Sequence, residues 1–172
     1  MKPGRAPVLV LVRLLVLVAG LTLTQAHADE YGDVSKLIQA GRLDDARERV
    51  DRHLAAKPRD PQMRYLKGLI QRESGQLPEA LETFTKLTED FPELPEPYNG
   101  LAVIHAGNGE YDKARAALES AIRANPGYAT AHENLGDVQF RLAVQAYCKA
   151  RQLDPRNTTV APKLTQLAVT CP

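Results

Sequence analysis

From about residue 30 onward, apolar side chains return at intervals of three and four, the spacing of a helix with one buried face. Leu37 and Ile38 precede Gly41; Leu43, Ala46, Val50 and Leu54 follow it and run to Pro58. Leu66, Leu69 and Ile70 precede Gly75, and Leu77, Ala80, Leu81, Phe84 and Leu87 follow it to Pro92. Leu101, Ala102 and Ile104 precede Gly109, and Tyr111, Ala114, Leu118, Ala121 and Ile122 lead to Pro126. Each glycine divides two helical segments, ending the first by a left-handed turn. Each proline pushes the residue before it out of the helical region and so ends the second. Pro61 and Pro78 fit the first turns of new helices, where a missing N–H costs nothing.

These punctuating residues keep a fixed register. Gly41, Gly75 and Gly109 recur at one constant interval, and Ala46, Ala80 and Ala114 repeat it, as do Pro58, Pro92 and Pro126. A repeated frame of this length predicts an all-α fold of stacked helical hairpins, each too small to bury its apolar face alone. Ala46, Ala80 and Ala114 are expected to let the two helices of a hairpin approach closely, and Gly68, Ala102 and Gly136 to do the same between first helices. A large residue at Ala80 or Ala114 would overpack a hairpin at a cost of about 1–3 kcal/mol.

The frame resembles the tetratricopeptide repeat, whose pattern sets an aromatic, Leu-Gly, Tyr, Ala, Phe and Pro over one unit. The unit at 61–94 carries Gly68, Ala80, Phe84 and Pro92; the unit at 95–128 carries Tyr98, Leu101, Ala102, Ala114, Leu118 and Pro126. The unit at about 27–60 has Tyr31 and Leu37 but Asp33-Val34 where Leu-Gly is expected. The resemblance covers roughly residues 30–155 and implies a right-handed α-solenoid. It also implies that the first helix of each unit lines a concave groove for a protein or peptide. Carried onto this chain, the groove would hold Tyr31, Ser35 and Gln39, then Gln62, Tyr65, Leu69 and Arg72. Glu96, Asn99 and Val103 would follow, then Glu133, Asn134, Asp137 and Arg141. Their alternation of Tyr, Asn and acid suits a peptide held by side-chain amides. The Lys and Asn of a carboxylate clamp are replaced by Tyr31 and Ser35, which disfavours recognition of a C-terminal acid.

A fourth unit, 129–157, departs from the frame. Leu135 and Gly136 stand in register, but Ala143 and Pro155 both come too early after Ala114 and Pro126, five positions short of the interval. The five missing residues are the turn, and no Gly or Pro lies between Gly136 and Pro155. One reading is a shortened hairpin turning near Arg141. The favoured reading is a fused helix over about 130–153, with Leu135, Val138, Leu142, Ala146 and Leu153 on one face. Its uncovered stripe would take the segment Val160 to Ala168 of the tail (158–172) as a capping helix, or a second copy in a swapped homodimer.

The segment 1–28 reads as a secretory signal: Lys2, Arg5 and Arg13 around an apolar stretch from Leu14 to Thr24, then Ala26-His27-Ala28 as a cleavage site. Cleavage after Ala28 would start the mature chain at Asp29 and place it in a periplasm or outside the cell. No membrane insertion is expected thereafter. Removing three cations changes Lys+Arg from 22 to 19 against 21 Asp+Glu, so the net charge falls to 19 − 21 = −2. A slightly acidic module offers no electrostatic footprint for nucleic acid. Export would allow a disulfide between Cys148 and Cys171, although sequence leaves it open against two free thiols.

Nothing in the sequence marks a catalyst or calls for a cofactor. His53, His105 and His132 occupy repeat positions used for packing and are expected to be buried, hydrogen-bonded structural residues without metal-ligand spacing. Ser35, Ser74 and Ser120 lack a nucleophile-elbow context. Asn157-Thr158-Thr159 matches a glycosylation sequon, meaningful only in a eukaryotic secretory setting. The functional expectation is a non-enzymatic exported scaffold of a cell envelope, with an accessory subunit of an envelope enzyme or secretion machinery as the alternative.

Overall fold

The computed structural model describes residues 30–171, so the signal segment and its cleavage site lie outside the described residues. Eight helices occupy them: α1 at 30–39, α2 at Leu43–Ala56, α3 at Pro61–Glu73, α4 at Leu77–Asp90, α5 at Pro95–Gly107, α6 at Tyr111–Ala124, α7 at Ala129–Leu153 and α8 at Val160–Gln166. They fall into two compact units that divide after Leu66, within α3.

The three spaced glycines make the same turn. Their φ values are 71°, 75° and 74° at Gly41, Gly75 and Gly109, a region that side chains with a Cβ rarely adopt. Each glycine N–H donates to the carbonyl three residues back, and the next residue donates five back: Arg42 to Leu37, Gln76 to Gln71 and Glu110 to His105, at 2.8–2.9 Å. These pairs satisfy carbonyls that the ending helix leaves without partners. The helices that follow, α2, α4 and α6, each have 14 residues. Their exits repeat too. Asp60, Leu94, Tyr128 and Asn157 each donate an N–H to the carbonyl three residues back, at 3.1–3.2 Å. The fourth unit therefore keeps its exit turn and has lost only its internal one.

In the first unit the core holds Val34, Ala46, Val50, Met63 and Leu66. In the second, the fully buried Phe84 ring of α4 lies against the backbones of α3 and α5. A Cβ added to Gly68 would stand 2.5 Å from a ring atom, and one added to Gly100 2.8 Å. Only glycine admits this approach from both sides. One repeat on, the residues in the same register are Leu118, Ala102 and Asn134: a smaller side chain faces larger neighbours. Leu118, Ala114, Ala121 and Ala102 form the next stretch of core with Ala131 and Val138 of α7.

The expectation for Gly136 requires correction. It is exposed, and a Cβ there would meet nothing within 4 Å. The reason is the missing turn. Tyr147, which holds the register of Phe84, lies on the same continuous helix as Gly136 and cannot fold back over it. That helix, α7, runs for 25 residues, in the fused arrangement that the absence of Gly and Pro favoured.

The tail returns to α7. Val160 and Leu164 of α8 are buried with Cys148, against Val144, Tyr147, Ala150 and Val169. Lys163 Nζ lies 5.3 Å from the centre of the Tyr147 ring. Cys148 and Cys171 are joined as a disulfide with Cα atoms 5.5 Å apart. Leu153 stays 74% exposed, so α8 covers only part of the apolar surface of α7. Among the described residues no helix is long and apolar enough to cross a membrane.

Candidate functional site

Residues of α5 and α7 that the sequence assigned to the groove converge. Asn134 Nδ2 donates to Asn99 Oδ1 at 2.7 Å, joining two helices through residues 35 apart in sequence. Asn99 is buried, 7% exposed, which fixes one amide and lets it orient the other. Beside the pair opens a cleft of about 200 Å³ lined by Ala102, Val103, Ala106, Leu118, Asn134, Asp137 and Val138. It forms where Leu118 stands in the register filled one repeat earlier by the Phe84 ring. Five of its seven lining residues are aliphatic, while Asp137 at the lip is exposed. Val103 remains 38% exposed, unusual for a large aliphatic residue in a structure that buries most of its others.

Of the residues assigned to a groove from the sequence, Val103, Asn134 and Asp137 line this cleft, and Asn99 bonds Asn134 beside it. Glu133 and Arg141 are exposed on the same helix, about one turn to either side of Asp137, and do not line it. Leu69 is half-buried on α3, and Arg72 donates to its neighbour Glu73 at 2.7 Å. Phe140, 38% exposed and three residues beyond Asp137, shares its face and was not singled out from the sequence. Its signal was available, since it keeps the register of Ala106, which does line the cleft.

In the first unit Tyr31 and Ser35, assigned to the groove from the sequence, make internal hydrogen bonds. Tyr31 donates its hydroxyl to Asp60 Oδ2 at 2.6 Å, and Ser35 donates to the Tyr31 carbonyl at 2.8 Å. Tyr65 is half-buried. His53 lies between two acids, its Nδ1 2.9 Å from Glu30 Oε2 and its Nε2 3.0 Å from Asp60 Oδ2. Asp60 also caps α3 by accepting the Met63 N–H at 2.9 Å. Burial opposes charge on His53, but its bonds to Glu30 and then Asp60 prevail and raise its pKa. Burial likewise opposes ionisation of Asp60, yet the Tyr31 hydroxyl, the Met63 amide and His53 together hold it below the usual carboxylate value. The bond to Asp60, followed by burial, pushes Tyr31 up to about 12. The cluster ties the start of α1 and the end of α2 to the turn before α3.

The other histidines divide. His105 Nδ1 is 2.6 Å from Glu110 Oε2 and half-buried. His132 corrects the expectation of burial: it is exposed, although Nε2 donates to the Pro126 carbonyl at 2.9 Å. It sits near the start of α7, on the side away from the buried Ala131 and Val138.

Repeated hairpins that present side chains along one face, with a small apolar cleft between first helices, define a helical-repeat binding scaffold. Two family models, both described as tetratricopeptide repeat, match residues 35–95 and 71–135. The chain belongs to the tetratricopeptide repeat family, whose members generally bind protein partners. It is 27% identical over 124 residues to the photosystem I assembly protein Ycf3 of Prochlorococcus marinus, covering 59% of this chain and 72% of that protein. It is 32% identical over 87 residues to the chloroplastic tetratricopeptide repeat domain-containing protein PYG7 of Arabidopsis thaliana, covering 48% of this chain and 29% of that one. Among solved structures, a thermophilic tetratricopeptide repeat protein of Thermus thermophilus superposes with a TM-score of 0.58 at 20% identity. The match covers 83% of this chain and 98% of that chain, a likeness of fold.

Proposed function

We propose that this protein is an exported, non-enzymatic adaptor that holds a segment of a protein partner in the cleft between α5 and α7. The carrying observation is that cleft: about 200 Å³ of mostly aliphatic lining left open beside a buried amide pair. An open apolar recess costs the free protein lost packing contacts, which a ligand side chain would restore. Side-chain amides beside it can hold a peptide main chain. The similarity to an assembly protein fits a role in bringing other chains together. Export rests on residues 1–28, and an envelope location follows from it; N-terminal sequencing of the protein from fractionated cells should then begin at Asp29.

The adaptor reading is tested by placing a photo-crosslinking residue at Val103 in the full chain and, separately, at Lys86 and Glu119, exposed on α4 and α6. Irradiation in the source cells should give a discrete adduct from Val103 and none from the other two positions. Equal labelling from all three, or no adduct from Val103, overturns the reading.

A further inference from the structure

The cleft is selective in chemistry as well as in shape. Its volume of about 200 Å³ is below the range of about 300–1,000 Å³ typical of small-molecule and cofactor pockets. It suits one inserted side chain. The walls from Ala102, Val103, Ala106, Leu118 and Val138 carry no aromatic ring on which a planar group could stack. An aliphatic side chain of Leu, Ile or Val type matches them.

The amide pair adds a main-chain requirement. An asparagine amide has two donors on nitrogen and an acceptor oxygen. The bond from Asn134 Nδ2 to Asn99 Oδ1 leaves Asn134 Oδ1 as acceptor and Asn99 Nδ2 as donor. Among the described residues no buried side-chain N or O lacks a partner, so these spare positions reach solvent. Together they match the N–H and C=O of a peptide unit.

The charges around the cleft give the third requirement. Asp137 lines the lip, and Glu133 precedes it by one turn on α7; neither has an ion-pair partner among the described residues. Glu110 and Asp112 of the same unit, by contrast, are paired with Lys113 and Arg115. Helix α5 carries no Lys or Arg, and its His105 is bonded to Glu110. Arg141, one turn beyond Asp137 on α7, is exposed and does not line the cleft. Asp137 is the one charged residue in the lining, and it makes the lip negative. Asn134 and Asp137 are separated by three residues, about 4.5 Å along the helix axis. An extended peptide rises about 3.3 Å per residue, so a group meeting Asp137 lies within two residues of the one beside the amides.

We infer that the cleft recognises an extended peptide segment in which an aliphatic residue lies within two positions of a lysine or arginine. The inference rests on the proposed role of the cleft as the partner site. It is tested with the full chain on an array of capped nonapeptides. Each has Leu, Ala or Ser at the centre and Lys, Ser or Glu at the two flanking positions on either side. Peptides with central Leu and flanking Lys should be retained, and exchanging Lys for Glu should weaken binding about fivefold or more. Asp137→Lys should reverse that preference while circular dichroism stays unchanged, since Asp137 is exposed.

Equal retention of Lys and Glu peptides, or binding unaltered by Asp137→Lys, overturns the inference. Filling the cleft by Ala106→Leu separates the two levels. Loss of all peptide binding in that variant, with no dependence on charge, leaves the cleft as the site and refutes only its basic selectivity. Retention unchanged by both variants refutes both. Self-association that Ala106→Leu abolishes, seen by light scattering, identifies a second copy as the occupant and also refutes the basic-peptide inference.

Discussion

Gly68→Ala should destabilise the second unit even though alanine is the better helix former. The substitution places a Cβ 2.5, 2.8 and 2.9 Å from three atoms of the Phe84 ring, below the 3.0 Å that real contacts respect. Phe84 is fully buried, and Gly100 presses its other side with an equivalent limit of 2.8 Å, so the ring cannot slide away. Overpacking of this kind costs about 1–3 kcal/mol, against a gain of up to about 1 kcal/mol from replacing a helical glycine. The net result is a loss of up to about 2 kcal/mol, or several degrees in Tm. Gly136→Ala is the matched control: it lies on α7, is exposed and meets nothing within 4 Å, so only the propensity gain remains. Urea unfolding followed by circular dichroism should move the midpoints of the two variants in opposite directions. Adding Phe84→Leu should relieve much of the Gly68→Ala penalty, as expected for residues in contact. A Gly68→Ala variant as stable as Gly136→Ala, or additive with Phe84→Leu, refutes the argument.

Three further outcomes follow from the structure. Ala143→Pro lies inside continuous α7 and should cost about 3 kcal/mol or more in thermal or urea unfolding, whereas a turn at this position would tolerate it. Removing the disulfide by Cys148→Ser with Cys171→Ser opens a loop with a sequence separation of 23, worth about 3 kcal/mol in the chain-entropy account; hydrogen exchange should then rise first in α8. In the first unit, the raised pKa of His53 means its bonds stabilise the fold below about pH 6.5 and lose that effect as pH rises through the raised value. The lowered pKa of Asp60 means its contribution is present above about pH 4 and is lost as pH falls through the lowered value. Stability of this unit, read by hydrogen exchange of α1 and α2, should peak between those limits, and His53→Gln should remove the loss on the alkaline side.

What could be read from the sequence was local. Gly41, Gly75 and Gly109 announce their turns because a left-handed φ needs glycine whatever surrounds it. The length of α7 was legible as an absence, five residues and every turn former missing between Gly136 and Pro155. The role of Gly100 was not, because its need for glycine comes from the Phe84 ring, which belongs to another helix. Tyr31 was assigned to a groove by register, but its hydroxyl goes to Asp60 in the turn before α3, and helical periodicity cannot register such a bond. The cleft itself comes from a difference between repeats, Leu118 where the previous unit has Phe84. A family pattern averages out differences of that kind.

We propose the open recess between α5 and α7 as the place where a partner segment docks. Methyl-resolved NMR of the full chain, titrated with the peptide best retained on the array, tests it most directly. Shifts should concentrate at Val103, Ala106, Leu118 and Val138, with the methyls of Val160 and Leu164 in α8 unmoved. Shifts centred on α8 or on the exposed faces of α4 and α6, with the cleft methyls unchanged, would contradict it.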